Sequence, residues 1–79
     1  MVTDRDVQEI VAAILELDVA DVGIDTSFYS DLEMDSLHKT ELVALLEHAC
    51  GAEFSPAEAA EIDTVGDVMR MLRARHLVS

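Results

Sequence analysis

The sequence is poor in the residue types that small folds use for covalent or rigid support. It has one cysteine, Cys50, one proline and no tryptophan among 79 residues. A lone cysteine cannot form an internal disulfide, which excludes a fold held together by such bonds. The apolar run near the amino terminus, IVAAIL, is too short for a membrane span or for the core of a signal peptide. We therefore expect neither feature, and a cytoplasmic location.

Basic residues are scarce as well. The chain has 5 lysine and arginine residues against 17 acidic ones, a net charge of −12, and Arg70, Arg73 and Arg75 all lie near its carboxyl end. Such a surface repels phosphate backbones and anionic membranes, and it attracts proteins with basic patches at rates that fall with salt. The charge thus argues against nucleic acid and membrane partners and favours basic docking patches on partner proteins.

Apolar residues are plentiful enough to form a core. They make up 51% of the chain and are mostly Leu, Ile, Val, Ala and Met. This composition is typical of a folded chain, and a length of 79 residues suits one small domain. We interpret residues 1–79 as a single, monomeric, all-α domain.

Start and stop signals divide the chain into four helices. Thr3, with Asp6 three residues later, predicts an N-cap, and an apolar stripe extends the first helix to about Leu17. Asp35 caps the second helix, which ends at Gly51. The remaining signals are Ser55, Pro56 and Glu58 for a short third helix, and Thr64 and Asp67 for a fourth with the stripe Val65, Val68, Met69, Leu72 and His76.

A long loop, residues 18–35, separates the first two helices. It is rich in aspartate and serine, and loops of this length in a compact domain usually carry function. Four apolar residues are spaced to anchor it on the core: Val22, Ile24, Phe28 and Leu32. The expected architecture is a small four-helix bundle with three longer helices, a short third helix and a long first loop.

The second helix has two unlike sides at about 100° per residue. The apolar side consists of Leu42, Val43, Leu45, Leu46, Ala49 and Cys50, and the opposite side of Ser36, Leu37, Thr40, Glu41, Ala44, Glu47 and His48. Leu37 is thus predicted to face water beside Ser36, in a stripe suited to a partner protein. Lys39 is expected at the margin, with its stem on the core and its ammonium in water.

Ser36 has two interpretations at this point. Serine and aspartate are common at helix starts, so Asp35 and Ser36 could simply begin the helix. The first turn of a helix also leaves backbone N–H groups without acceptors, and a phosphodiester on the Ser36 oxygen would be stabilised by them. The pair alone does not decide between a cap and a modification site.

The wider segment DLEMDSLHKTEL resembles the modification-site segment of acyl carrier proteins, whose usual form is Asp-Leu-Gly-x-Asp-Ser-Leu with Glu-Leu a few residues later. The matching positions are Asp31, Leu32, Asp35, Ser36, Leu37, Glu41 and Leu42. The resemblance covers the whole chain, because the helix lengths, the long first loop and the Ile62-Asp63-Thr64 segment also fall where the family has them.

The resemblance implies a carrier that is not an enzyme. Ser36 would hold a 4'-phosphopantetheine arm, added from coenzyme A by a phosphopantetheinyl transferase, with Asp35 helping to hold magnesium during loading and Ile62 beside the arm. The arm would carry acyl thioesters among a ketosynthase, an acyltransferase and other enzymes of polyketide or fatty acid biosynthesis. The residues implied in partner contact are Leu37, Thr40, Glu41, Ala44, Glu47 and His48.

The sequence departs from the family pattern at several positions. Glu33 stands where glycine is usual, so we expect a less permissive turn into the second helix. His38 and Lys39 stand where many fatty acid carriers have an acid or a neutral polar residue, and Thr40 replaces a common apolar residue. These departures bear on which synthases the chain serves.

The sequence predicts neither a catalytic constellation nor a metal site. No spacing of His, Cys or acidic residues predicts a metal site, and a calcium loop starting at Asp25 would place Ser30 where glycine is needed. His38 and His48 are interpreted as solvated, Cys50 as a small core residue, and His76 as packed or capping. Two alternative functions stay open: a peptidyl or aminoacyl carrier, and an unmodified acidic helical adaptor that uses the Leu37 face.

Overall fold

The computed structural model describes residues 2–76, which form helices and connecting segments without a strand. The elements are α1 Asp4–Leu15, a 3-10 turn Val19–Asp21, α2 Ser36–Cys50, α3 Pro56–Glu61 and α4 Val65–Ala74. Helix α1 packs against both α2 and α4. The all-α bundle with a short third helix and a long first loop is therefore confirmed.

Each α-helix begins with a reciprocal capping box. The side chain of the N-cap residue accepts the backbone N–H three residues on, and that residue's side chain accepts the N-cap N–H in return. The four N-caps are Thr3, Asp35, Ser55 and Thr64, as the sequence predicts. In α3 the Ser55 backbone N–H donates to Glu58, which lowers the pKa of that carboxyl, and nearby Arg75 acts in the same direction.

Two helix ends differ from the sequence-based expectation. Helix α1 ends at Leu15 rather than near Leu17, because Glu16 adopts a left-handed conformation, φ 56°, and its N–H bonds to the Ala12 carbonyl. Helix α4 ends at Ala74, and His76 lies beyond it, exposed to solvent. His76 does not pack on the apolar stripe, since the helix has ended before the stripe reaches it, and of its two expected roles the capping one fits: its φ is 59° and its N–H donates to the Arg73 carbonyl at 3.1 Å.

The core combines all three longer helices with the first loop. Its largest fully buried side chains are Phe28, Leu42, Leu46, Ile62, Leu72, Val7, Val11, Val22, Val65 and Val68. Cys50 is half-buried and packs against this cluster, and burial raises the pKa of its thiol. Its interpretation as a small core residue fits this placement.

The long loop is held on the bundle by apolar anchors and by hydrogen bonds. Val22 and Phe28 are buried and Leu32 packs on the core, as expected, whereas Ile24 is exposed. The Phe28 N–H donates to the Asp63 carbonyl at 2.7 Å, and the Ser27 hydroxyl donates to the Asp63 carboxylate at 2.7 Å. The loop before α2 is thus tied to the junction of α3 and α4.

None of the helices within residues 2–76 has both the length and the apolar character that crossing a bilayer requires.

Candidate functional site

Ser36 is the first residue of α2 and is exposed to solvent. Its position is set by Asp35, whose carboxylate accepts the His38 N–H at 2.8 Å and whose carbonyl accepts the Lys39 N–H at 2.9 Å. The Ser36 carbonyl accepts a hydrogen bond from the Thr40 hydroxyl at 2.9 Å. The Ser36 hydroxyl forms no hydrogen bond to other residues in the 2–76 range, so its oxygen is free to react or to be modified.

His38 completes the cap, a role that sequence reasoning missed. Its Nδ1 atom accepts the Asp35 backbone N–H at 3.4 Å and lies 3.2 Å from the Asp35 carboxylate. The usual capping-box pattern has Glu or Gln at this position, which is why a histidine gave no signal. His38 was interpreted as solvated, and its side chain is still 38% exposed, but its ring also accepts the Asp35 N–H in the turn that presents Ser36.

The exposed side of α2 begins at Ser36. Leu37 is 78% exposed, the most exposed of the large apolar side chains in the described chain. Thr40, Glu41, Ala44 and His48 are exposed along the same side. The structure therefore brings these predicted partner-facing residues together on one open face.

Three other α2 residues depart from the two-sided pattern. Glu47 is half-buried, because its carboxylate accepts the Phe54 N–H at 2.8 Å and so joins α2 to the segment before α3. Leu45 and Ala49, assigned to the apolar side, are exposed. The apolar contact of α2 is consequently narrower than the helical wheel indicates, and it centres on Leu42 and Leu46.

The structure contradicts the expected placement of Lys39 at the margin of the apolar side with its ammonium in water. It is 7% exposed, and its ammonium donates to the Ile62 carbonyl at 2.5 Å and to the Tyr29 hydroxyl at 3.4 Å. The ammonium also lies 4.9 Å from the centre of the Tyr29 ring, within the range of a cation–π contact. Lys39 is buried rather than placed at the margin, because the α3–α4 junction supplies its ammonium with a carbonyl acceptor that sequence spacing does not reveal.

Ile62 has its side chain in the core. It is 1% exposed, and its carbonyl is the acceptor for Lys39. Its predicted place beside the arm stays a prediction, and in this conformation its side chain packs inward rather than lining the surface near Ser36.

A groove of about 340 Å³ lies between α2 and α3. Its α2 wall contains residues three, four, seven, eight and eleven positions after Ser36, which lie on one helix side. The lining residues are Lys39, Thr40, Val43, Ala44, Glu47, Phe54, Ser55, Pro56 and Ala59. The groove thus starts within one turn of the exposed serine.

The arrangement around Ser36 fits a hydroxyl that another enzyme modifies. The oxygen is accessible, the helix start supplies N–H groups and a positive dipole end for a phosphodiester, and the adjacent Asp35 carboxylate faces solvent. No side chain among residues 2–76 accepts a proton from Ser36 through a hydrogen bond. The Ser36 oxygen can therefore hold a phosphodiester at the start of α2.

Comparison with known proteins agrees with this geometry. A family model described as "Phosphopantetheine attachment site" matches residues 5–72. The chain is 39% identical over 75 residues to an acyl carrier protein of Chlamydia trachomatis serovar D, covering 95% of this chain and 97% of that protein. It is 37% identical over 71 residues to an acyl carrier protein of Treponema denticola, covering 90% and 91% of the two chains.

An acyl carrier protein of Helicobacter pylori strain G27 is similar too, with 36% identity over 73 residues, 92% of this chain and 94% of that protein. Fold, site geometry and similarity along almost the whole chain agree. The chain belongs to the acyl carrier protein family, whose phosphopantetheine attachment domain implies a covalently bound 4'-phosphopantetheine group.

Proposed function

We propose that the Ser36 oxygen carries the 4'-phosphopantetheine group and that the chain shuttles acyl thioesters between enzymes of polyketide or fatty acid biosynthesis. The observation that carries this proposal is the unengaged Ser36 hydroxyl, exposed at the first position of a capped helix and followed by the 78% exposed Leu37. When bound, the group supplies a thiol on which acyl chains are held.

Each residue of the site has a limited task in this proposal. In loading, the Ser36 oxygen forms a bond to the phosphorus of coenzyme A that carries the pantetheine group. The bond from that phosphorus to adenosine 3',5'-bisphosphate breaks, and the transferase takes the hydroxyl proton. Asp35 offers a solvent-facing carboxylate beside the serine for the magnesium ion that assists this step. The chain is a substrate and carrier and not a catalyst, since the transferase provides the base.

The open face of α2 is the proposed docking surface for partner enzymes. Leu37 supplies an apolar contact and Glu41 a negative charge on a chain of net charge −12, so partners with basic patches fit it. Thr40, Ala44 and His48 extend the face, while Glu47 contributes mainly through its contact with Phe54. We propose that residues 1–79 act as one carrier domain in the cytoplasm.

The test is modification followed by mass measurement. The protein is incubated with coenzyme A, magnesium and a phosphopantetheinyl transferase of broad specificity, and the intact mass is determined. We expect one phosphopantetheine adduct on the unaltered chain and none on Ser36→Ala, because the substitution removes the only oxygen that the proposal uses.

Ser30→Ala is the matched control, because Ser30 is another exposed serine in the acidic loop before α2. It should be loaded as the unaltered chain is. An adduct that persists in Ser36→Ala, or the absence of any adduct on the unaltered chain, would contradict the assignment and favour the unmodified adaptor.

A further inference from the structure

The turn that carries Ser36 presents its side chains to solvent. Ser36 and Leu37 are exposed, and His38 is partly exposed. The nearest buried residues on either side of the serine are Met34 and Lys39. The position of the serine therefore depends on how these two flanking residues are held.

The segment before the serine is held by Asp63. The Phe28 N–H donates to the Asp63 carbonyl at 2.7 Å. The Asp63 carboxylate accepts the Ser27 hydroxyl at 2.7 Å and the Tyr29 N–H at 3.2 Å. The Phe28 carbonyl in turn accepts the Met34 N–H at 2.8 Å. Hydrogen bonds thus connect Asp63 to the residue two positions before the serine.

The segment after the serine is held by Ile62, the neighbour of Asp63. The Lys39 ammonium donates to the Ile62 carbonyl at 2.5 Å and lies 4.9 Å from the centre of the Tyr29 ring. The Lys39 backbone N–H donates to the Asp35 carbonyl at 2.9 Å, which closes the first turn of α2. Both sides of the serine are therefore tied to two consecutive residues between α3 and α4.

We propose that Lys39 and Asp63 are positioning residues for the loading of Ser36. This inference rests on the proposed function. The Ser36 oxygen must approach the phosphorus of coenzyme A opposite the bond to adenosine 3',5'-bisphosphate that breaks, while the transferase takes the proton. A small misplacement of a reacting atom costs much of the rate. Each of the two residues acts by holding a chain segment next to the serine.

The loss of either contact should lower kcat and leave KM unchanged. Glu41 and Ala44 of the docking surface lie beyond Lys39, on the part of α2 that the fully buried Leu42 and Leu46 fix to the core. A transferase can therefore still bind the variant protein. The serine then occupies the reactive position for a smaller fraction of the time, which reduces the rate of the bound complex.

The test measures the steady-state kinetics of loading by a phosphopantetheinyl transferase of broad specificity. Carrier concentration is varied with coenzyme A and magnesium in excess, and the adduct is followed by intact mass. Lys39→Met should lower kcat on the order of tenfold and change KM by less than about twofold. Lys39→Arg should restore most of the lost kcat, because a guanidinium can donate to the Ile62 carbonyl and lie over the Tyr29 ring.

Arg75→Met is the matched control, because Arg75 makes the same pair of contacts elsewhere. Its guanidinium donates to the Glu53 carbonyl at 2.7 Å and lies 5.3 Å from the centre of the Phe54 ring. These contacts are near Gly51, at the end of α2 opposite Ser36. The variant should be less stable in urea unfolding and load with an unchanged kcat. An equal fall of kcat in both variants would mean that lost stability is responsible, and it would overturn the inference.

Asp63→Ala covers the case in which Lys39→Met does not fold. It removes the acceptor of Ser27 and Tyr29 and leaves Lys39 in place, so it should also lower kcat at constant KM. An unchanged kcat in Asp63→Ala, or a rise of KM alone in any of these variants, would overturn the inference. Such results would leave the proposed function intact, provided that the unaltered chain loads at Ser36. An unaltered chain that does not load would contradict both.

Discussion

In helix α4 the burial of each side chain follows its polarity, whereas in the segment 33–39 it does not. In α4 the apolar residues Val65, Val68 and Leu72 recur at helical spacing and are fully buried. In the segment 33–39, a leucine is 78% exposed and a lysine two residues later is 7% exposed. The same short segment holds Glu33 in a left-handed conformation, φ 56°.

The difference separates residues that build the fold from residues that serve the site. Burial of an apolar stripe explains α4 without further contacts. The segment 33–39 breaks three local rules at once, and such exceptions usually collect at functional sites, where other contacts compensate for them. Here the Ile62 carbonyl, between α3 and α4, accepts a hydrogen bond from Lys39 and so compensates for the burial of its charge. The exposed Leu37 is left available to a partner.

The largest expected effect is a loss of stability in α4. Leu72→Ala should lower the free energy of unfolding by about 3 kcal/mol, because it leaves a cavity where a fully buried side chain packed. Urea unfolding followed by circular dichroism measures the change. Arg73→Ala, at the exposed neighbouring position, should change stability by less than about 0.5 kcal/mol. Similar losses for both variants would show that α4 is not the packed element described here.

A smaller effect is expected at Glu33. Glu33→Gly should raise the free energy of unfolding by about 0.5–1 kcal/mol, because glycine adopts positive φ without the steric cost borne by other residues. Glu33→Ala removes the same charge but keeps the Cβ atom, so it separates conformation from electrostatics. If alanine stabilises as much as glycine in urea unfolding, relief of charge repulsion and not backbone geometry is responsible.

The smallest effect on stability is expected at Leu37. Leu37→Ala should change the free energy of unfolding by less than about 0.5 kcal/mol, since the side chain is largely in water already. The same substitution should weaken binding to a phosphopantetheinyl transferase by about 1–2 kcal/mol, through lost apolar contact. Isothermal titration calorimetry with the transferase measures this difference.

Leu45→Ala provides the matched control, because Leu45 is also exposed, at 41%, but lies two turns further along α2 and about 80° round the helix from Leu37. It should leave transferase binding unchanged. Equal weakening by both substitutions would mean that the docking surface is not confined to the Leu37 face.

Most of the helical framework could be predicted because its determinants are local. Each capping box spans three residues, so Thr3 with Asp6 and Ser55 with Glu58 can be recognised without knowing what lies nearby in space. Gly51 marks the end of α2 for the same reason, since its left-handed conformation depends on one residue. The exposed Leu37 next to Ser36 also followed from helical spacing alone.

The environments of Lys39 and Glu47 could not be predicted in this way. Lys39 bonds to a carbonyl 23 positions along the chain, and Glu47 bonds to the Phe54 N–H across the turn into α3. His38 was missed because histidine is not a usual capping-box residue, and its ring takes this role only in the orientation that brings Nδ1 to the Asp35 N–H.

The sequence by itself therefore determined where the helices begin, which side of α2 presents Ser36 and Leu37, and the acidic character of the chain. The tertiary structure alone decided that Lys39 is buried, that Glu47 joins two elements and that a groove opens beside the serine. The physical reason is the sequence distance over which each interaction acts. Capping and helical periodicity depend on residues a few positions apart, whereas burial of a charge depends on acceptors supplied by distant parts of the chain.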